Sequence, residues 1–151
     1  KMKVSIEKQF RDQSSRFRVV FALLALCFSF LADVHASPDS WMKVSDEIEK
    51  ELNASVGTYE KGKKSEAMET VADAYFGIFE GEKANMEIAV RRFINLKKSS
   101  ELEKGFADLR KSIKEEIKPS EFKRQVSNLI EAVKAAAKEL DRKEVKVSSE
   151  F

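Results

Sequence analysis

The sequence has one histidine and one cysteine in 151 residues, and both, His35 and Cys27, fall among the first 36. It has two prolines, Pro38 and Pro119, and five scattered glycines: Gly57, Gly62, Gly77, Gly81 and Gly105. Beyond residue 36 no thiol or imidazole remains, so no Ser-His-Asp or Cys-His arrangement can form there. Structural zinc sites and two-His-one-carboxylate iron sites are excluded with them, and no disulfide can staple the domain. The glycines are too dispersed for a phosphate-binding loop. Carboxylate, phenol and thioether chemistry survives, and ordinary enzyme catalysis is not expected.

The first 36 residues read as a cleavable secretory signal. Met2 to Arg18 is polar and basic, with Lys3, Lys8, Arg11, Arg16 and Arg18, and Val19 to Ala32 follows as 14 residues without a charge. Val34-His35-Ala36 is a small-x-small triplet, which places cleavage before Ser37. A membrane-spanning helix needs about 20 apolar residues, so the run is short for a permanent anchor; an uncleaved anchor or a buried helix is the other reading. Leu24-Ala25-Leu26-Cys27 is a poor lipoprotein box, because Leu26 is too large for the position before the cysteine. Taking the segment's six bases and three acids from the chain totals of 28 and 26 leaves 22 and 23, a net charge of −1. The basicity of the whole chain therefore belongs to the signal, and a nucleic-acid partner loses its electrostatic motive. Lys1 ahead of Met2 reads as a fragment edge or a mis-called start, and the chain stops in mid-phrase at Glu150-Phe151.

The remaining 115 residues suffice for one domain. Apolar residues recur there at spacings of three and four, with no useful period-two run, and this predicts helices throughout. A first helix runs from about Pro38 to Glu60 with Trp41, Val44, Ile48, Leu52, Val56 and Tyr59 as its stripe. A second begins near Ser65 with Ala67, Val71, Tyr75, Ile78 and Phe79, and either continues through Gly81 to Asn95 or kinks at Gly77 or Gly81. Ser100-Glu101-Leu102-Glu103 is a capping box that opens a third, with Leu102, Phe106, Leu109 and Ile113. Pro119-Ser120 starts a fourth, with Phe122, Val126, Leu129, Val133, Ala136 and Leu140. The predicted fold is all-α, an antiparallel four-helix bundle over residues 37–141 preceded by a signal peptide helix. Residues 142–151 lose the pattern and read as a linker toward a missing, membrane region.

Hard cations favour oxygen donors, so any metal bound here is held by Asp, Glu and Tyr. The densest candidate is Asp73 to Glu82 followed by Asn85-Met86-Glu87. Asp73, Glu80 and Glu87 are seven apart and share a stripe on a straight helix. Seven residues rise about 10 Å, too far for neighbours to share one ion, so a site needs a facing helix or a break at Gly81. Glu82 falls in the stripe of Tyr75, Phe79, Met86 and Phe93, an awkward place for an unpartnered charge. The plain alternative is a solvated face, with Glu80 pairing Lys83 and Glu87 pairing Arg91. On that reading Tyr59 and Tyr75 are core aromatics with tethered hydroxyls, and Met42, Met68 and Met86 are gap fillers. The glycosylation sequon Asn53-Ala54-Ser55 lies inside a predicted helix.

The succession Tyr59-Glu60-Lys61-Gly62, Asp73-Ala74-Tyr75-Phe76-Gly77-Ile78-Phe79-Glu80, Met86-Glu87 and Phe106-Ala107-Asp108-Leu109-Arg110 resembles the extracytoplasmic N-terminal region of bacterial iron permeases of the high-affinity ferric-iron permease family. The resemblance covers roughly Trp41 to Leu140, and its most specific part is the Tyr-Phe-x-x-Phe-Glu phrase. It implies iron as cargo and a place at the periplasmic face of the inner membrane. The implied partners are the membrane permease portion of the same protein and periplasmic iron-binding or redox proteins. On donor hardness and the stripe, Glu80 and Glu87 are the expected metal ligands, with Asp73 and Tyr75 as secondary donors, and the resemblance makes that metal iron. The Arg-Glu-x-x-Glu motif of the permeases' membrane helices is missing: Glu66 and Glu69 have its spacing, but Ser65 stands where arginine should. A related soluble iron-binding family carries a histidine motif that is also missing here. A metal-free helical interaction or sensor module of a membrane protein is the alternative.

Overall fold

The protein is described here over residues 40–81 and 84–148 of a computed structural model, and these residues form helices and no strand. The expected signal at 1–36, Glu82, Lys83 and the end of the expected linker lie outside the described residues. Helix α1 is Trp41–Glu60, α2 is Lys64–Ala72, α3 is Met86–Phe93, α4 is Leu96–Lys114 and α5 is Pro119–Arg142. Between α2 and α3 the chain widens into a π-helical segment, Asp73–Phe79, and then breaks. The all-α expectation is met. No helix among the described residues is long and apolar enough to cross a membrane.

Each helix starts for a local reason. Ser40 is extended and its hydroxyl accepts the Lys43 N–H at 3.3 Å, while the Asp141 carboxylate accepts the Trp41 and Met42 N–H groups at 2.9 and 3.2 Å. The open end of α1 is thus capped from the far end of the chain as well as from its own flank. Pro119 sits in the first turn of α5, where its missing N–H costs nothing. The third predicted start needs correction. Helix α4 opens at Leu96, one turn before the expected capping box, because Asn95 is extended and its side chain accepts the Lys98 N–H at 2.7 Å. Ser100 and Glu103 therefore lie inside the helix, and Glu103 is free to serve elsewhere.

The helices pair in antiparallel fashion. Along α1 and α5, Trp41 meets Asp141, Glu49 meets Lys134 at 2.5 Å, and the Tyr59 hydroxyl donates to the Ile117 carbonyl at 2.7 Å. Along α2 and α4, Lys64 pairs with Glu116 and the Tyr75 ring lies 5.2 Å from that of Phe106. Along α4 and α5, the Ser112 hydroxyl lies 2.7 Å from the Gln125 side-chain oxygen. The core they enclose includes Trp41, Ile48, Leu52, Phe79, Met86, Phe106 and Phe122, all fully buried. Past α5, the Val145 carbonyl accepts the Trp41 indole N–H at 2.6 Å, and Val145 and Val147 pack against the core.

Candidate metal centre

The π-helical segment changes which side chains meet. In an α-helix, residues five apart point about 140° away from each other. Here the Glu80 N–H bonds to the Tyr75 carbonyl, five residues back, at 2.8 Å, so one wider turn separates them. The Tyr75 hydroxyl consequently reaches Glu80 and donates to its Oε1 at 2.5 Å. The Tyr75 ring is held between neighbours, 4.7 Å from Phe76, 6.0 Å from Phe79 and 5.2 Å from Phe106.

The chain then turns sharply. Asn85 takes a left-handed conformation ahead of α3, and Gly81 packs so close to the Gly77 carbonyl that a Cβ there would lie 2.1 Å from its oxygen. This break is the second of the two expectations for the region, and it ends the straight stripe of Asp73, Glu80 and Glu87. It redirects α3 against α4, so that Glu87 is 6 % exposed in the first turn of α3. There the fully buried Ser99 of α4 has its hydroxyl 3.0 Å from Glu87 Oε1 and 2.9 Å from Glu103 Oε1. Arg91 pairs with the same Glu87 oxygen and stands 3.6 Å from the same Glu103 oxygen.

A hydroxyl has one proton, so Ser99 can donate to only one carboxylate at a time. Two acidic oxygens thus crowd one buried hydroxyl oxygen, and the Arg91 guanidinium beside both offsets their charge. The negative field also reaches Tyr75. Burial, first, and then the bond to Glu80 and the charges of Glu80, Glu103 and Glu87 push the phenol well above the ordinary tyrosine range. Tyr75 thus remains a protonated donor to Glu80.

Of the four expected ligands, the structure bonds Tyr75 to Glu80 and buries Glu87 against α4. Asp73 is exposed at the start of the π-helical segment and, among the described residues, has no hydrogen bond or ion pair to the others. The expected i, i+4 pair of Glu87 with Arg91 is formed, with Glu87 buried and Arg91 half-exposed. Among the described residues no three acidic side chains stand close enough to hold an ion without rearrangement. Glu103 and Ser99 escaped the sequence reading. Glu103 was absorbed by the capping-box pattern, and no spacing signal ties Ser99 to Glu87, twelve residues away. An open depression lined by Tyr75, Glu103, Lys104, Phe106 and Arg110 gives water access to this region. Compared with protein-family models, characterised proteins and solved structures, the chain has no match.

Proposed function

We propose that this chain is the exported, periplasmic helical domain of an iron permease, a four-helix bundle that binds or receives iron through carboxylates for the membrane portion. The bundle reading is supported by the antiparallel pairing of α1 with α5, α2 with α4, and α4 with α5. The observation that carries the iron reading is the pair of carboxylates, Glu87 and Glu103, on the buried Ser99 hydroxyl, with the Tyr75–Glu80 bond at the helix break nearby. Of the phrases that carry the resemblance, Tyr75 to Glu80 supplies the phenol–carboxylate bond and Met86-Glu87 supplies the buried carboxylate. The donor set fits a hard cation: it is made wholly of carboxylate, phenol and hydroxyl oxygens. Iron is cargo here, and the reading includes no catalytic step and no nucleic-acid partner.

The test is titration of the protein with ferric citrate and with ferrous ion, followed by Glu80→Ala, Glu87→Ala and Glu103→Ala. Binding weakened at least tenfold in Glu87→Ala and Glu103→Ala, with Asp73→Ala unchanged, is the expected result. Unchanged affinity in all three glutamate variants removes the site, and no binding by the wild type removes the function.

A second reading, a metal-free module that docks on the permease or a periplasmic partner, is favoured by Phe76. It is 57 % exposed on the outer side of the π-helical segment, beside a depression that it lines with Met68, Arg110 and Lys114. Single exposed apolar residues are common on soluble domains, so this observation weighs less than the carboxylate group. Loss of partner binding in Phe76→Ser with metal binding intact would join the two readings.

A further inference from the structure

The turn from α3 into α4 gathers positive charge around the most exposed large apolar side chain of the described residues. From Ile88 to Ser100 the chain carries Arg91, Arg92, Lys97 and Lys98 and no acid, although beyond residue 36 bases and acids are nearly equal, 22 against 23. Between the two basic pairs Leu96 is 60 % exposed, while Phe93 and Ile94 are half-buried and pack against the core. Acids offset this charge only in part. Arg91 is held by Glu87, and Lys97 and Lys98 share the exposed Glu101 at 4.0 and 3.9 Å. Arg92 lies over the Phe93 ring, 5.6 Å from its centroid. The two lysines do not serve their own helix, because they stand in its first turn, where a cation is disfavoured.

The antiparallel packing adds to this charge. Ser112 of α4 meets Gln125 of α5, and Leu96 and Asp141 are each sixteen residues from that contact, about 24 Å along their helices. The start of α4 and the end of α5 therefore share one end of the bundle. Asp141 is occupied there by the first N–H groups of α1, and it is followed by Arg142, Lys143 and Lys146 against Glu144.

We propose that this end of the bundle docks on a bilayer rich in anionic phospholipid, with Leu96 entering between the headgroups and the surrounding cations meeting their phosphates. A protein partner calls for about 800 Å² of fitted surface per side, centred on anchors in pockets, and a single projecting leucine does not supply it. A bilayer accepts one apolar side chain at its headgroup boundary and rewards each nearby cation separately. The contact is weak and reversible, and it is independent of the iron reading, which stands or falls by metal titration.

The test places a nitrobenzoxadiazole label on Leu96→Cys in the full chain, with Cys27→Ser removing the one native cysteine, and the same label on Ser120→Cys at the opposite end. Both positions, like Arg92 and Lys97, are exposed, so the substitutions leave the core untouched. On vesicles of equal parts phosphatidylglycerol and phosphatidylcholine, the label at position 96 should shift to the blue and brighten several-fold. It should not respond to phosphatidylcholine alone, and about 1 M sodium chloride, where the Debye length is about 3 Å, should reverse the change. The label at position 120 should stay as in water. Each cation near an anionic surface is worth roughly fivefold in partitioning, so Arg92→Glu with Lys97→Glu should raise the half-saturating lipid concentration at least about tenfold. No response at position 96, an equal response at both positions, or a response that ignores the charge reversals overturns the proposal. Polyglutamate moving the label at position 96 where vesicles do not would assign this end to an acidic protein instead, and overturns it too.

Discussion

Replacing Gly81 with alanine tests the helix break directly. A Cβ on Gly81 would lie 2.1 Å from the Gly77 oxygen and 2.7 Å from its carbon. Both are backbone atoms, so no rotamer change relieves the contact. Side-chain carbons hardly ever come within about 3 Å of such atoms, so the turn must open by about 0.9 Å. The bonds that hold this turn are the Gly81 N–H to Ile78 at 3.2 Å and the Gly81 carbonyl to Ala84 at 3.2 Å and Asn85 at 2.8 Å. At a net of about 1 kcal/mol each, loss of two of them plus repacking around the fully buried Phe79 costs about 3 kcal/mol. For a domain of this size that lowers Tm by roughly 10–15 °C. Gly57→Ala is the matched control. Gly57 sits inside α1 with open space at its Cβ position, so alanine there should stabilise by about 0.5–1 kcal/mol. Urea unfolding followed by circular dichroism, with m unchanged, measures both. A Gly81→Ala protein within about 0.5 kcal/mol of wild type would refute the argument that this turn excludes a side chain.

Two further outcomes follow from particular bonds. Asp141→Ala removes the carboxylate that accepts the first two N–H groups of α1, and should cost about 1–2 kcal/mol in urea unfolding; an unchanged midpoint would show that Ser40 alone caps the helix. The second concerns alkali. Tyr75 holds its proton more tightly in the folded chain than in the unfolded one, so above about pH 10 the unfolded state binds fewer protons and stability falls as pH rises. In Tyr75→Phe that alkaline loss should be smaller, and a steeper loss than in wild type would contradict the raised phenol.

Much of the helical pattern could be read from spacing, because apolar stripes at three and four residues report burial directly. Trp41, Val44, Ile48, Leu52, Val56 and Tyr59 all lie in the core. The tethered hydroxyl expected for a core tyrosine is found at Tyr59, on the Ile117 carbonyl. The failures share a cause. Asn95 and Ser100 are both good cap residues five positions apart, and the chain uses the first. The five-residue bond from Glu80 to Tyr75 has no sequence period, so a straight helix sent the two side chains to different faces. Glu103 and Ser99 enter the site through the packing of α3 on α4. Such contacts depend on where a chain turns, and single-sequence periodicity carries no information on that.

The cost of this region bears on the choice between the two functional readings. A π-helical segment, a glycine pressed on a carbonyl, a left-handed Asn85 and a buried Glu87 all fall between Asp73 and Glu87. Each runs against local preference, and such departures gather at functional sites more often than in plain scaffold. A docking module gives a use to the exposed Phe76, yet it gives none to Glu87 beneath the surface or to the Ser99 hydroxyl between two carboxylates. A straight helix would present Phe76 equally well at lower cost. The proposed iron site uses every one of these departures: the wide turn brings Glu80 to Tyr75, the break at Gly81 turns α3 inward, and Glu87 meets Glu103 under Arg91. On these grounds the carboxylate reading accounts for more of the molecule than the docking reading does.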